Sequence, residues 1–449
     1  FKENHNIDNE YHIWAQKFDL IKINDEIQLS NVLNYIKFNR QKHLLPENEE
    51  LKQIIDSFLK PVNLAVLPKV IKGGFDVVIG NPPYGAELDK HSFEYLKKKY
   101  PIGNTDTAAL FMILSQNLLK EKGYNGFIIP KPFTYASNWA KTREIILSDI
   151  ITIVDCSKVW KEVKLEMSVY IAQKESSRYS FESFIRKNET FILIANVEKN
   201  LCNEFGFILN GVSEKEIEIG KKIKNNPLTL NDITINKQGI PNQKYTQNEI
   251  SDFMVIGGAE LKRYGSVSKI KGFILKEYIT DECAFIKEDS IFVQRIVAHI
   301  ENPKPHIKII ASVFDKIDLS KNIIVNTVIQ LHNKSNLSKN YILGLINSKL
   351  ISWYSYKFIF ANAIRTMQFY NPTTSRIPIP QSPAPETQNR LVSLVETMLQ
   401  LNKDLQNATL PEQKEQLQAR ISYTDKKIDT LVYQLYCLTE EEIRLVEGE

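Results

Sequence analysis

The chain of 449 residues exceeds the size at which one hydrophobic core usually suffices, so the sequence predicts two or three domains. With 43% hydrophobic and 24% charged residues, the composition excludes a disordered or fibrous protein. No apolar run approaches the ~20 residues that a membrane helix needs, which predicts no membrane partner. The four cysteines are scattered and show neither metal-ligand nor disulfide spacing, which indicates a cytoplasmic protein without a metal site.

Charge is unevenly distributed along the chain. The segment 319–385 has no acidic residue, whereas residues 386–449 contain twelve acidic and seven basic residues, a net charge of −5. A cationic zone beside an acidic one is typical of a nucleic-acid-binding surface in front of a scaffold that does not bind. Chance absence of acids in a lysine-rich chain is the alternative. The cations of this zone are Lys321, Lys334, Lys339, Lys349, Lys357, Arg365 and Arg376.

The elements predicted up to residue 175 alternate between strands and helices. Residues 1–72 predict helices and loops without recognisable chemistry. The run Phe75–Gly80 is short, apolar and bounded by glycine, which is typical of a buried strand in a parallel sheet. A helix over 107–122 follows, then a strand at 126–130, a helix at 139–147, and strands at 150–155 and 167–173. This order predicts a doubly wound α/β layer over 73–175.

Residues 176–385 predict a second domain of mixed or mostly β structure, because short β-like runs alternate with glycine and asparagine. These runs lie at 190–197, 290–298, 307–313 and 323–330. The proline-rich stretch Ile377–Pro385 predicts a stiff extended linker. Two amphipathic patterns within 386–449 predict a helical hairpin, and Thr439 with Glu442 predicts a capping box for a last short helix.

The tetrapeptide Asn81–Tyr84 has the clearest chemistry, because ligands of open α/β sheets bind at the carboxyl ends of strands. Pro82 and Pro83 hold their carbonyl groups in fixed directions without a competing N–H, and Asn81 adds a second acceptor. Two acceptors match the two hydrogens of an exocyclic amino group. Tyr84 offers a flat face for a ring, worth about 1–3 kcal/mol per base. The motif therefore predicts a pocket for an extruded aromatic amine such as adenine or cytosine, although Asn-Pro also opens ordinary turns.

The segment Phe75–Gly85 resembles motif IV of the DNA adenine-N6 methyltransferases, more narrowly the gamma class and the methyltransferase halves of type IIG restriction–modification enzymes. The resemblance implies that Asn81, Pro82, Pro83 and Tyr84 are catalytic and that the cofactor is S-adenosyl-L-methionine. It also implies ligand contacts for four residues. Tyr84 would stack on a flipped adenine, Trp160 would stack on its other face, and Phe111 together with Pro83 would contact the cofactor.

The resemblance extends over about residues 73–449. Gln294–Ile296, Leu345–Leu350 and Ile377–Pro380 resemble landmarks of the target-recognition domains that follow the methyltransferase sheet in these enzymes. Asp425–Tyr436 and Thr439–Glu447 resemble their helical tail. The implied fold is an incomplete doubly wound α/β methyltransferase sheet, a mixed α/β target-recognition domain over 176–385 and a helical hairpin. The implied partner is double-stranded DNA, with candidate contacts at Arg295, Lys321, Lys334, Lys349, Lys357, Arg365 and Arg376.

The sequence departs from this family upstream of motif IV. The family has a glycine-rich cofactor loop there, whereas residues 1–70 contain no glycine. We therefore expect a missing N-terminal part or a partner subunit to supply the AdoMet site, and this chain alone to bind AdoMet poorly. Two other functions are compatible with the sequence: the same chemistry on RNA or on a protein amide, and a non-catalytic DNA-specificity subunit.

Overall fold

A computed structural model describes residues 74–449, except 86–88, 101, 103–105, 160–164, 266–269, 315–318, 366, 381–383 and 449. The helices predicted for residues 1–72 lie outside the described residues, and so does the predicted base-stacking residue Trp160. Within the described ranges, no helix combines the length and apolar character needed to cross a bilayer.

A six-stranded sheet contains the strand that precedes the tetrapeptide. Its members are β1 (Phe75–Gly80), β2 (Leu119–Pro130), β3 (Ile150–Lys158), β4 (Glu166–Gln173), β5 (Ser180–Lys187) and β6 (Thr190–Glu198). Their spatial order is β1-β2-β4-β3-β5-β6. β1 pairs with β2 and β3 with β5 in parallel, and the other neighbours are antiparallel. The carboxyl ends of β1, β2 and β3 therefore meet the amino end of β4 at one edge, which we call the motif edge.

Helices lie between β1 and β2, between β2 and β3, and after β6. They are α1 (Lys90–Lys99), α2 (Thr107–Leu118), α3 (Ala140–Ile146), α4 (Lys199–Phe205) and α5 (Glu214–Lys224). The predicted α/β alternation is therefore present, but the helix predicted over 107–122 is too long. It ends at Leu118 because Leu119 already pairs with Phe75 as the first residue of β2.

The first sheet extends past the domain boundary predicted near residue 176. β5 pairs in parallel with β3 through Glu182–Ile185, and β6 returns antiparallel to β5. The apolar run at 190–197 is a strand as predicted, but it belongs to the first sheet. A run of apolar residues indicates a strand without indicating its partner, so the sequence pattern placed it in the wrong layer.

Smaller sheets follow in the region after residue 225. A four-stranded sheet contains β14 (Ala311–Ser312), β11 (Ser290–Gln294), β16 (Val328–Asn333) and β8 (Thr234–Gln238), in that spatial order. β10 (Gly272–Ile274), β9 (Phe253–Ile256) and β15 (Asn322–Ile324) form a three-stranded sheet, and β12 (His299–Ile300) pairs with β13 (His306–Ile307). The helices here are α6 (Leu230–Ile233), α7 (Lys339–Asn347), α8 (Lys349–Tyr354) and α9 (Asn371–Thr374). The region is thus of mixed α/β character.

The predicted linker at Ile377–Pro385 is partly a core segment. β17 (Pro378–Ile379) pairs with β7 (Leu228–Thr229), and Ile377 and Ile379 are fully buried. The Tyr436 hydroxyl donates to the Pro378 carbonyl at 2.7 Å. Prolines are tolerated because a short edge pairing does not need their missing N–H groups. Pro378 and Ile379 are extended as predicted, but they are part of the core, and Pro385 already begins a helix of the tail.

The tail forms the predicted helical hairpin from α10 (Pro385–Asn407) and α11 (Pro411–Leu435), followed by α12 (Glu440–Glu447). The predicted capping box is confirmed, since Thr439 Oγ1 accepts the Glu442 N–H at 3.4 Å and the Glu442 carboxylate accepts the Thr439 N–H at 2.7 Å. Arg263 binds both carboxylate oxygens of Asp425 on α11 at 2.7 Å. These contacts fix the hairpin to the preceding region.

Asp429 on α11 makes this attachment sensitive to pH. Burial raises its pKa to about 6, and the nearby Asp425 carboxylate adds to the shift, while the Lys349 N–H that Asp429 Oδ1 accepts at 2.8 Å opposes it. A carboxyl group with a higher pKa in the folded than in the unfolded chain takes up a proton on folding. The contribution of Asp429 to the free energy of unfolding therefore falls as the pH rises from about 4, the pKa in the unfolded chain, through about 6, the pKa in the folded chain.

We expect Asp429→Asn to raise the free energy of unfolding at pH 8 by about 1–2 kcal/mol, because the amide still accepts the Lys349 N–H without a buried charge. Urea denaturation at pH 4 and pH 8 measures this, and the gain should shrink at pH 4. The control is Glu415→Gln, an exposed carboxylate on the same helix. An equal gain at both pH values would contradict the assignment.

Candidate functional site

The tetrapeptide Asn81–Tyr84 lies at the motif edge, directly after β1. Asn81 is exposed, Pro82 is buried, and Pro83 is half-buried. The Thr107 hydroxyl at the start of α2 donates to the Pro83 carbonyl at 2.6 Å and fixes the main chain there. Among the described residues, the Asn81 side chain and the Pro82 carbonyl have no hydrogen-bond partner. These two acceptors are thus left for a ligand.

Tyr84 is anchored on the neighbouring strand ends. It packs against a buried cluster of Val154, Cys156 and Met167, from β3 and β4. Val159, which precedes Trp160 in the chain, packs against the same cluster. Partial burial raises the pKa of the Tyr84 phenol, so the ring is neutral near neutral pH. An uncharged, half-buried ring at this position can stack on a planar ligand.

The start of α2 holds the other side of the motif. The Asp106 carboxylate caps the helix by accepting the Ala108 N–H at 2.9 Å. Burial raises the pKa of Asp106, and hydrogen bonds from the Ala108 and Gly85 N–H groups oppose the shift. Gly85 has φ +65°, in the left-handed region where glycine is favoured, so the chain can turn sharply after Tyr84.

Phe111 lies on the outward side of α2. Its side chain is 44% exposed, whereas Ala108 and Met112 on the same helix are fully buried. An exposed aromatic ring on the helix that also holds Pro83 can contact a planar group of a ligand. Of the described residues, Phe111 and Pro83 are those that would hold the cofactor expected from the resemblance.

No pattern in the sequence indicates the buried cation that lies at the motif edge. Lys131, the residue after β2, is 2% exposed, and its ammonium nitrogen lies 2.7 Å from Asp155 Oδ2 and 3.4 Å from Glu166 Oε1. It also donates to the Asn362 carbonyl at 3.0 Å. Burial acts to lower the pKa of Lys131, but the two carboxylates outweigh it and the pKa is raised. We call Lys131, Asp155 and Glu166 the lysine network.

The lysine network joins the first sheet to a segment over two hundred residues further along the chain. Glu166 Oε2 accepts the N–H groups of Ile364 at 2.7 Å and Arg365 at 3.2 Å. Ala361 and Asn362, just before, have φ values of 50° and 55°, which residues with side chains rarely adopt. Such a conformation persists only where surrounding contacts impose it. The network thus holds segment 361–365 at the motif edge.

The predicted DNA-contacting cations differ in their surroundings, and three of them have partners within the protein. Lys349 is paired with Glu447, and Lys357 is paired with Glu216 at 2.9 Å. Arg376 donates to main-chain carbonyls, among them that of Phe358 at 2.7 Å. The segment lacks acids in sequence, but the fold brings acids and carbonyls to it from elsewhere.

The remaining cations of the predicted set are more accessible. Lys321, Lys334 and Arg365 are exposed, and Arg295 is half-buried. The Arg295 carbonyl accepts the Phe369 N–H at 2.7 Å, which places Arg295 next to the strand-like segment that follows Arg365. No group of three potential metal ligands occurs in the part of the chain that the structure describes.

The sheet order places the tetrapeptide at the motif edge, and the exposed ring of Phe111 lies on the helix whose first residue bonds to Pro83. Residues 3–160 match the family model of the Eco57I restriction-modification methylase. The chain thus carries an Eco57I restriction-modification methylase domain, which includes β1, α2, β2 and β3. The resemblance inferred from motif IV is confirmed at this level.

Relatives and a solved structure agree with this assignment. A Methanocaldococcus jannaschii protein assigned as a type II restriction enzyme and methyltransferase is 28% identical over 405 residues, which are 81% of this chain and 31% of that protein. The adenine-specific methyltransferase BrxX of Escherichia coli is 31% identical over 77 residues, 17% of this chain and 6% of its own length. The chain therefore spans less than a third of either relative. The type IIL restriction-modification enzyme MmeI, solved in complex with DNA, has the same fold over 83% of this chain and 56% of its own, with a TM-score of 0.53 and 11% identity.

We expect Lys131→Met to lower the free energy of unfolding by roughly 3–5 kcal/mol, because it leaves Asp155 and Glu166 buried without a counter-charge. Urea denaturation measures the loss. Lys215→Met, which removes the fully exposed pair between Lys215 and Glu441, is the matched control and should change stability little. Equal losses in the two variants would show that the lysine network contributes no more than a surface pair.

Proposed function

We propose that the chain is the part of a DNA adenine-N6 methyltransferase that binds the target base and reads the DNA sequence, within a restriction–modification enzyme. The observation that carries the proposal is the pair of available acceptors, Asn81 Oδ1 and the Pro82 carbonyl, beside a half-buried Tyr84 at the end of a strand. The methylase family match and the adenine-specific relative support it.

In the proposed reaction, an adenine leaves the DNA duplex and enters the motif edge. Asn81 Oδ1 and the Pro82 carbonyl accept the two hydrogens of its N6 amino group, which draws the nitrogen lone pair out of conjugation with the ring. Tyr84 stacks on the base, and Trp160 is proposed to cover its other face. Phe111 and Pro83 would hold S-adenosyl-L-methionine, which would supply the methyl group when bound.

The chain's own contribution is orientation and electrostatic placement. The Thr107 hydroxyl holds the main chain of the motif at the Pro83 carbonyl, so the acceptors are fixed before the base arrives. The methylated nitrogen can lose its proton afterwards, and no general base is needed beforehand. The reaction therefore requires neither a titrating side chain nor a metal ligand at the motif edge.

The region 176–385 is proposed to read the DNA sequence, with the tail 386–449 as its support. Arg365 is the best placed of the candidate cations, because its main chain is bonded to Glu166 at the motif edge while its side chain is exposed. Lys321, Lys334 and Arg295 are the other candidates for phosphate or base contacts. A preceding part of the polypeptide, or a partner subunit, is proposed to complete the AdoMet site.

We expect Asn81→Ala, in the complete enzyme, to reduce methyl transfer to duplex DNA by at least about 100-fold, since one of two positioned hydrogen-bond acceptors is lost. DNA affinity should change little. Incorporation of labelled methyl groups, followed by identification of the modified base, measures the effect. Asn196→Ala, an exposed asparagine at the far side of the same sheet, is the matched control and should retain full activity.

The same assay separates the competing functions. Unchanged turnover in Asn81→Ala would remove the assignment of Asn81. Labelled RNA or protein with unlabelled DNA would show a different substrate for the same chemistry. DNA binding by the complete enzyme without any methyl transfer would favour a specificity subunit.

A further inference from the structure

A cavity of about 310 Å³ lies between the loop that follows β2 and segment 359–376. Pro132 and Tyr135 line it on one side, and Phe360 and Tyr370 line it on the other. The loop begins at the carboxyl end of β2, the strand that neighbours β1. A cavity of this size is at the lower end of the range for small-molecule sites.

Two guanidinium groups form part of the cavity wall. Arg143 on α3 donates to the carbonyls of Phe133 at 2.9 Å and Ala136 at 2.7 Å, and Arg376 donates to the Phe358 carbonyl at 2.7 Å. Carbonyl partners hold each guanidinium in place, but they leave its positive charge uncompensated. Both groups are therefore fixed cations facing one space.

Arg143 and Arg376 are close to other cations, whereas Lys131 is close to two carboxylates. Burial lowers the pKa of both Arg143 and Arg376 to about 10, and the two cations disfavour each other. Burial and Arg376 also lower the pKa of nearby Lys224. Among the described residues, neither guanidinium has a carboxylate partner, and the buried Nε–H of Arg376 has no acceptor. Burying like charges side by side is costly unless an anion accompanies them.

Hydroxyl groups complete the polar part of the cavity. The Ser137 Oγ lies 3.5 Å from the Tyr370 hydroxyl, and the Tyr135 hydroxyl donates to the Arg365 carbonyl at 3.4 Å. Serine and tyrosine hydroxyls are common phosphate contacts in protein–DNA complexes, alongside arginine. The link through Arg365 also connects the cavity to the segment held by the lysine network.

We propose that this cavity binds a phosphate group of the DNA strand that carries the extruded base, with Arg143 and Arg376 as its counter-charges. The inference rests on the proposed function, since a DNA strand reaches the cavity only if DNA binds at the motif edge. Guanidinium groups match phosphate in charge and geometry. A phosphate held here fixes the strand beside Asn81 without reading any base. A free nucleotide or inorganic phosphate is the other source of the same chemistry.

Two neighbouring substitutions on α3 test the proposal. Ala140 is exposed and lines the cavity, whereas Lys141 is exposed and does not line it. Ala140→Glu and Lys141→Gln each lower the net charge by one, but only Ala140→Glu places a carboxylate at the phosphate position. Binding of a labelled duplex oligonucleotide to the full chain is measured over a range of salt concentrations.

We expect Ala140→Glu to reduce the slope of log K against log salt by about 0.9, the value for one lost phosphate contact, and to weaken binding by at least about fivefold at low salt. Lys141→Gln should change both quantities less. Equal changes in the two variants would overturn the proposal. Because Ala140 is exposed, the substitution leaves the core intact, and a melting curve of each variant verifies the fold.

A second arm identifies the source of the phosphate. Inorganic phosphate and deoxyadenosine monophosphate are added to the unsubstituted chain and to Ala140→Glu at constant ionic strength, and the melting temperature is followed. Stabilisation that Ala140→Glu abolishes, together with an unchanged DNA slope, would assign the cavity to a free phosphate compound and overturn the strand assignment. A chain that binds no duplex at all would overturn the proposed function, and this arm would still report on the cavity as an anion site.

Discussion

The positive charge of Lys131 is buried at the point where the ends of three neighbouring strands meet. Asp155 and Glu166 neutralise that charge from β3 and β4, and Glu166 uses its other oxygen to hold the main chain of Ile364 and Arg365. The sheet and the later segment therefore meet through one set of charge-assisted bonds. Breaking the set would leave buried charges unpaired, so the motif edge has one stable arrangement.

This constraint explains how a short tetrapeptide can act as a site. Among the described residues, the Asn81 side chain and the Pro82 carbonyl have no hydrogen-bond partner. Their positions therefore depend on β1, on the Thr107 bond and on the cluster under Tyr84. The strands that carry that cluster also carry Asp155 and Glu166. In the proposed reaction, the groups that fix the site are therefore not the groups that contact the base, and orientation does not depend on a flexible side chain.

The buried cations of the described residues have two kinds of partner: carboxylates or main-chain carbonyls. Lys131 lies between carboxylates, and Arg263 binds both oxygens of Asp425, so each is neutralised within the protein. Arg143 and Arg376 are held by carbonyls alone. The first arrangement stabilises the fold, whereas the second leaves positive charge available to a ligand. The cationic segment recognised in the sequence thus divides into structural and accessible members once its partners are known.

The amino-acid sequence by itself determined the local features: the apolar strand before Asn81, the capping box at Thr439 and the helical hairpin. Each depends on residues a few positions apart, so spacing is enough to predict it. Motif IV also sufficed to indicate the methylase family. Tertiary structure alone decided which strand pairs with β5, that Pro378 is buried, and that acids reach Lys349 and Lys357. The reason is that these partners are distant in sequence. A sequence pattern does not indicate which long-range contact a polar or apolar residue will make.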